Sequence, residues 1–430
     1  MQGKQELYPK GTGPKDAHTR PGIAFYKGRP QCQRCGTWIA ENCRLENGAY
    51  FCPGCLLLGR VTEFHELVTD VTPIARPKEV VPCVWSGTLT AKQAVVAIAL
   101  KECLDKRQNA LLWAVTGSGK TEMLFPMLEQ AFQEGLQVAY ATPRIDVCNE
   151  VYPRLRQAFP SGGILLRHSQ GEEWGDFQLL VATTHQLLHF YRAFDLLIID
   201  ESDAFPYVDN PVLHQASRLA VKEQGITVHL TATPSRELKQ KREKENWCLL
   251  TLFQRYHKRP LVVPELCFME NWHKLPERKR GLKKLARLCE TLLKDNRLLL
   301  FCPQIDYLKR LEQALQPYLA QWRVTSVSAR DEKRQEKIQG MREGEWDVLL
   351  TSTVLERGVT FANVSVVVLG ADHEVFTKSV LIQIAGRVDR LGEYRHGRVV
   401  FCYQEQTYPL RQAIVEIKAI NRKRGQEDAL

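Results

Sequence analysis

The stretch Leu111-Leu112-Trp113-Ala114-Val115-Thr116-Gly117-Ser118-Gly119-Lys120-Thr121-Glu122 constrains this chain more than any other. Leu111, Leu112 and Trp113 form a short apolar run that ends a buried strand. Gly117 and Gly119 bracket a tight loop, Thr116-Gly117-Ser118-Gly119, whose backbone N–H groups can close around phosphate oxygens. Lys120 supplies a point charge for β- and γ-phosphates, and Thr121 offers a hydroxyl to Mg²⁺. The next residues, Glu122-Met123-Leu124-Phe125, read as helix, so the phosphates would sit on a helix N-terminus. The pattern is G-x-x-x-x-G-K-[ST] with one departure, Ala114 at its first position. That position only turns the chain before it reaches the phosphates.

A strand, a phosphate loop and a helix in that order call for an α/β fold, and the chain continues in that manner. Gln137–Ala141, Leu179–Ala182, Leu196–Ile199 and Thr227–Leu230 are apolar runs. They end, in turn, in Thr142-Pro143-Arg144, Thr183-Thr184-His185-Gln186, Asp200-Glu201-Ser202-Asp203 and Thr231-Ala232-Thr233-Pro234. Strands alternating with helices predict a parallel sheet covered on both faces, with ligands in the crevice at the strand ends. Asp200-Glu201 is the second chemical feature. Two carboxylates ending an apolar strand are costly to bury without a task. Asp200 can hold Mg²⁺ and Glu201 can polarise the water that attacks a γ-phosphate. Upstream, Thr90 and Gln93 form a capping-box pattern, and the same two residues could instead meet an adenine edge.

A second alternating unit begins near Gly281. Strands are expected at Arg297–Cys302, Val324–Ser328, Asp347–Thr351, Val364–Leu369 and Arg398–Tyr403. Helices are expected at Leu282–Leu293, Asp306–Leu319, Glu332–Arg342 and Ser379–Arg390, with a short basic helix, Arg411–Arg424, before a frayed tail. The chain of 430 residues therefore divides as follows. Residues 1–30 lack an apolar period and read as disordered. Residues 31–60 form a cysteine module, 61–84 a proline-broken connector, 85–235 the first α/β domain, and 236–280 a basic linker or insertion. Residues 281–408 form the second α/β domain and 409–430 the basic C-terminus.

Charge is uneven. The net formal charge is +10, and Arg236–Arg287 holds fifteen Lys/Arg against six Glu, nearly the whole excess. With Trp247, Phe253, Tyr256, Phe268 and Trp272 interleaved, that run suits single-stranded nucleic acid. It equally suits a solvated linker with a few core anchors. No apolar run reaches the length of a membrane span and the N-terminus has no signal-peptide core, so a cytosolic protein is expected, with any membrane contact peripheral.

Four of the thirteen cysteines stand apart: Cys32-x-x-Cys35 and Cys52-x-x-Cys55, the donor set of a tetrahedral zinc ribbon. Gly36 and Pro53-Gly54 let each hook turn its thiolates toward one ion, and Trp38, Ile39, Tyr50 and Phe51 can fold over it. So small a module depends on its metal for folding energy, and it is expected to be an appendage beside α/β domains with their own cores. Cys43, between the hooks, is expected to be a bystander.

Taken in order, these motifs resemble those of the superfamily 2 helicases and translocases over roughly residues 85–400. Thr351-Ser352-Thr353-Val354-Leu355-Glu356-Arg357-Gly358-Val359-Thr360 and Gln383-Ile384-Ala385-Gly386-Arg387-Val388-Asp389-Arg390 supply the late motifs. A closer resemblance, covering nearly the whole chain from residue 32, is to the competence protein ComFA family. Ile198–Tyr207, Leu355–Thr360 and the four-cysteine module carry it. The resemblance implies two RecA-like parallel-sheet motor domains preceded by a small zinc-ribbon module. It implies a cytosolic ATP-driven motor for single-stranded DNA uptake in competence, using ATP, Mg²⁺ and Zn²⁺. It further implies a ComFC-like partner, a membrane DNA channel and a homo-oligomeric assembly.

Under this resemblance ATP lies between the two domains. Gln93, Thr116–Thr121 and Gly358 hold it, Thr121 and Asp200 hold Mg²⁺, and Glu201 orients water. Arg387 and Arg390 serve as arginine fingers. Thr142, Arg144, Thr183, Thr184, Thr351 and Thr353 touch the strand backbone, and Thr231 and Thr233 link nucleotide state to that grip. Two departures stand out: Ser202 replaces a bulkier residue, and Asp389 takes a position that is usually Gly. A replication-restart helicase of the PriA kind shares Val115–Glu122, but that family has a larger N-terminal region and its cysteines within the second motor domain. A zinc adaptor on an inactive motor is the remaining alternative. Lys120, Asp200, Glu201, Arg387 and Arg390 argue against it.

Overall fold

The computed structural model describes residues 3–71, 81–168, 175–390 and 396–427. It consists of two compact units, Met1–Ala114 with Lys120–Leu252, and Val115–Gly119 with Phe253–Leu430. Each is built on its own parallel sheet.

The first sheet has seven strands in the order Cys248–Leu252, Ala110–Ala114, Val221–Thr231, Phe194–Asp200, Val138–Thr142, Leu179–Thr183 and Ile164–Arg167. All pair in parallel. Successive residues of a strand face opposite sides, so a sheet covered twice needs unbroken apolar runs. Leu112, Val138, Tyr140, Val181 and Ile198 pack on one face with Val96, Leu100, Leu128 and Leu155 from the covering helices. Ala139, Ala141, Leu180, Leu197 and Ile199 pack on the other with Leu213 and Ala216 of the helix Pro211–Ala220. Helix Ala91–Asp105 starts at the expected capping box. Thr90 Oγ1 accepts from the Gln93 N–H at 3.3 Å, and Gln93 Oε1 accepts from the Thr90 N–H at 2.8 Å.

The N-terminal region differs from the sequence reading. Residues 1–30 were expected to be disordered, yet Gln5–Pro9 and His18–Pro21 pair antiparallel with His65–Thr69, and Ile23–Tyr26 pairs with Arg29–Cys32. Both proline-ended strands are edges of their three-stranded sheet, where a missing N–H is tolerated. The strands are short and polar, so they show no period. His65–Thr69 lies inside the expected connector; the breaks expected at Thr72-Pro73 and Arg76-Pro77 lie outside the described residues.

Nor is the cysteine module an appendage. Cys32, Cys35, Cys52, Cys55, Ile23, Ile39 and Tyr50 form one continuous buried cluster with Ala139, Leu180, Leu197 and Ile199. The Gln5 side-chain amide donates to the carbonyls of Leu188 at 2.9 Å and Phe190 at 3.2 Å. The module thus covers sheet surface that would otherwise meet water.

The second sheet runs Glu265–Phe268, Val399–Tyr403, Val364–Leu369, Arg297–Phe301, Val348–Thr351, Val324–Val327, again all parallel. The basic stretch 236–280 is therefore not a linker. Arg236–Lys244 is a helix with no buried residue, Cys248–Leu252 closes the edge of the first sheet, and Glu265–Phe268 closes the edge of the second. The boundary falls at Leu252/Phe253 rather than at residue 235. Helix Lys279–Leu293 buries Leu282, Leu285, Cys289 and Leu292 and leaves its cations outside.

Two further expectations change. The last helix runs from Tyr408 to Glu427 and is anchored by buried Leu410, Ala413, Ile417 and Ile420. The helix expected over Ser379–Arg390 instead spans Lys378–Ala385 and stops at Gly386, which puts Arg387 and Arg390 on a turn. Among the described residues no helix is long and apolar enough to cross a membrane.

Candidate functional site

The phosphate loop has the backbone its glycines suggest. Gly117 and Gly119 take φ of +80° and +76°, and the helix Lys120–Met123 starts directly after them. This left-handed pattern is the kind that points successive N–H groups into one concavity. The helix breaks after Met123 and resumes as Phe125–Gln133, with Pro126 in its first turn. Lys120 Nζ lies 3.4 Å from the Ala114 carbonyl at the end of the preceding strand, and the Thr121 side chain is buried.

In the first unit Lys120, Thr121, Asp200 and Glu201 all follow carboxyl ends of parallel strands, so they share one edge of the sheet. Asp200 is held at both oxygens. Oδ2 accepts from the Tyr140 hydroxyl at 2.6 Å and Oδ1 from the Glu201 N–H at 2.8 Å. Tyr140 is fully buried, and that burial, reinforced by the carboxylate, raises its pKa well above the usual phenol value. Its proton therefore stays on the phenol and is donated to Asp200. Sequence reasoning missed Tyr140, because an aromatic in a buried strand reads as core.

Glu201 adopts φ +54°, a conformation L residues rarely take. Two residues on, Asp203 accepts from the Thr231 hydroxyl at 2.7 Å and the Thr233 hydroxyl at 2.5 Å. This joins the two expected motifs within one unit, and all three side chains are buried. Ser202 needs no bulk: its hydroxyl lies 3.4 Å from the Leu230 carbonyl, which also takes the Ser202 N–H.

The second unit contains the loop Val115–Gly119 together with the arginine turn. A Cβ on Gly386 would stand 2.1 Å from Thr116 Oγ1, so this approach requires glycine there. A Cβ on Gly117 would stand 3.5 Å from Arg390 Cγ. Arg387 is buried. Its Nε donates to the Glu356 carbonyl at 3.0 Å, and a terminal nitrogen donates to the Val359 carbonyl. These bonds straddle Gly358, itself at φ +68°. Asp389 has φ +51°, which explains why Gly suits the position. Here the Asp carboxylate compensates by accepting from the Gly397 N–H at 3.1 Å.

Arg255 was read as part of a basic linker, yet it is almost fully buried beneath this turn. One terminal nitrogen donates to the Val388 carbonyl at 2.8 Å and the other to the Gly386 carbonyl at 2.9 Å. Burial, aided by neighbouring Arg390, pushes its pKa down to about 10, which leaves it charged at neutral pH. The next residue, Tyr256, donates its N–H to the Gly117 carbonyl at 2.9 Å. Two consecutive residues thus hold both the phosphate loop and the arginine turn.

The residues expected on a nucleic-acid path are mostly hidden. Thr142, Thr184 and Thr351 are fully buried and Thr183 nearly so; Arg144 and Thr353 are partly exposed.

The four cysteine sulfurs lie within 4.8 Å of one another and all four residues are buried. Cys32 and Cys55 Sγ are 3.8 Å apart, Cys35 and Cys52 Sγ 3.4 Å. A tetrahedron with metal–sulfur bonds of about 2.3 Å has edges of about 3.8 Å, so the donor set fits one such ion. Gly36, at φ +75°, turns the first hook. Cys43 stands outside the cluster, its sulfur 3.7 Å from Asn42 Oδ1.

Comparison with known proteins agrees with this geometry. Residues 93–241 match the DEAD/DEAH box helicase family and residues 283–392 the helicase conserved C-terminal domain. Competence protein ComFA of Streptococcus pneumoniae is 41% identical over 95% of this chain and 94% of its own length. ComFA of Bacillus subtilis is 36% identical over 93% and 87%. Replication restart protein PriA of Bacillus subtilis is only 22% identical, over 70% of this chain and 49% of its own.

Among solved structures, Saccharomyces cerevisiae Dbp5 bound to RNA and ADP BeF3 matches with TM-score 0.56 at 16% identity, covering 77% of this chain and 91% of that one. Mycobacterium smegmatis helicase Lhr bound to ssDNA and AMP-PNP matches with TM-score 0.57 at 15% identity, covering 78% and 50%. These two share the fold. The extent and identity of the first two matches decide the family: the chain belongs to the competence protein ComFA family, an ATP-hydrolysing, helicase-like enzyme built on two parallel-sheet domains.

Proposed function

We propose that this enzyme is a translocase that uses ATP to move along single-stranded DNA, serving uptake of transforming DNA in competence. The observation that carries the reading is the pairing of phosphate loop and arginine turn through Arg255 and Tyr256. ATP is the substrate. The loop amides of Thr116–Thr121 and Lys120 bind its phosphates, and Gln93, at the start of the helix Ala91–Asp105, is assigned to the adenine edge. Thr121 and Asp200 would hold Mg²⁺, which supplies neutralising charge for the phosphates. The site residues fit it, because Tyr140 and the Glu201 N–H fix the Asp200 carboxylate in one orientation.

Glu201 orients a water and takes its proton as the water oxygen bonds to the γ-phosphorus and the bond to the bridging oxygen breaks. Arg390 meets the charge of the departing phosphoryl group. Arg387, bonded to carbonyls on both sides of Gly358, holds that turn in shape, and the finger role is here given to Arg390. The strand is gripped by Arg144 and Thr353 and by backbone N–H groups near Thr142, Thr183, Thr184 and Thr351. Asp203, Thr231 and Thr233 connect the carboxylate strand to the neighbouring strand end. Fold neighbours captured with RNA or ssDNA support a nucleic-acid track. The family setting points to a ComFC-like partner, a membrane DNA channel, self-association and a place at the inner face of the cell membrane. The four thiolates of the cysteine module hold one Zn²⁺.

Lys120→Ala and Glu201→Gln should each reduce ATP turnover in the presence of single-stranded DNA by about a hundredfold or more, and only the Gln variant should still retain nucleotide on a filter. Turnover by Lys120→Ala at the parent rate would end the motor reading.

Arg255→Met should lower kcat for ATP at least tenfold with KM changed less than about twofold, since a finger is worth roughly 10³–10⁵ in rate. On an Arg390→Ala background the same change should add little. Fully additive losses would show that Arg255 does not act through Arg390.

Metal analysis should find one zinc per parent chain. Cys35→Ala should lose it and lower the melting temperature of the first unit, because the cysteines share a core with Leu197 and Ile199. Cys43→Ala should change neither. A zinc-free parent, or an unaltered melt in Cys35→Ala, would contradict the site or its fusion to the sheet.

A further inference from the structure

The hairpin that leads into the first cysteine hook carries an exposed cluster the ATPase machinery does not use. Its strands, Ile23–Tyr26 and Arg29–Cys32, are joined by Lys27-Gly28, both left-handed at φ +51° and +78°. Two such residues make the tight turn that matches strand twist. The register pairs Tyr26 with Arg29 and Ala24 with Gln31, so these side chains share one face. Trp38 joins that face through its bridge to Gln31.

Tyr26 is 49% exposed and Trp38 51% exposed. Their ring centroids are 6.0 Å apart with planes at 76°, and the Arg29 guanidinium lies 5.5 Å from the Trp38 ring. Lys27 is exposed at the tip. On the opposite face Phe25, also half exposed, meets Tyr50 edge-on, and Arg44 covers Tyr50 at 3.9 Å.

A core position would have covered these rings, and stability does not require them outside. Uncovered aromatics interleaved with cations suit a strand that offers both base faces and phosphates; the carboxylates of Glu41 and Glu63 lie against Tyr50. A duplex hides its base faces, and a partner protein would favour a broad apolar surface depleted of lysine. We propose that Tyr26, Arg29 and Trp38 form a stacking site for a base of single-stranded DNA, with Lys27 and Arg29 on the flanking phosphates. This inference rests on the single-stranded DNA reading above and adds a grip on the zinc module, outside both helicase domains.

The test is binding of fluorescent oligo(dT) by the full-length protein, with zinc content and melting temperature as checks of folding. Tyr26→Ala/Trp38→Ala should weaken binding roughly tenfold or more while zinc, melting and DNA-free ATPase stay at parent values. Tyr26→Phe/Trp38→Phe, which keeps the rings, should restore most of it. Photo-crosslinking with 5-iodouracil oligonucleotides should place adducts on Tyr26 or Trp38. Parent-level affinity in the alanine variant with adducts elsewhere would overturn the stacking site and leave the motor reading standing, as would a surface whose loss affects only a protein partner. A parent that fails to bind oligo(dT) at all would overturn both.

Discussion

A phosphate cradle works only if several N–H groups face one point and no side chain intervenes. Here that rests on Gly117 and Gly119 in left-handed conformations between a buried strand and a helix start. In the first unit the residues that flank this loop, Ala114 and Lys120, stand at the end of a paired strand and the start of a helix. Ala110–Ala114 has a neighbour on each side in the sheet, and both sheet faces are covered, one by helices and the other by a helix with the cysteine module. The carboxylates reach the same edge because parallel strands all end there. Tyr140 then removes the remaining freedom of Asp200 by a hydrogen bond through the core side of the sheet. The cysteine module thus bears on stability, since it closes the face opposite to Tyr140.

The second unit solves a different problem. Its arginine turn follows a helix end and exposes carbonyls that have no helical partner. Buried carbonyls left unsatisfied are costly, and buried cations more so. Arg255 and Arg387 answer both needs at once, each guanidinium spreading its donors over carbonyls of a turn. The fork geometry of arginine allows this where lysine could not. A charged residue at Asp389, in a backbone conformation that favours glycine, is accommodated by its bond to Gly397.

Much of this was legible beforehand. Apolar strands such as Leu196–Ile199 and Val364–Leu369 read clearly because both of their sides are buried, and the phosphate loop, the carboxylate pair and the cysteine hooks are short-range patterns. What escaped was non-local. Gln5–Pro9 and His65–Thr69 are polar strands that exist only by pairing across sixty residues of chain. Arg255 looks like any cation of a basic run until the turn closes over it. Thr142, Thr184 and Thr351 are placed on a strand path by motif, and the burial of their side chains is not visible in that motif. Gly386 was the one available sign that the helix before Arg387 ends early.

Motion along a strand is the central claim, and displacement of streptavidin from biotinylated single-stranded DNA measures it directly. The account predicts ATP-dependent displacement from one end of the oligonucleotide, abolished in Lys120→Ala. ATP hydrolysis stimulated by DNA with no displacement from either end would contradict it.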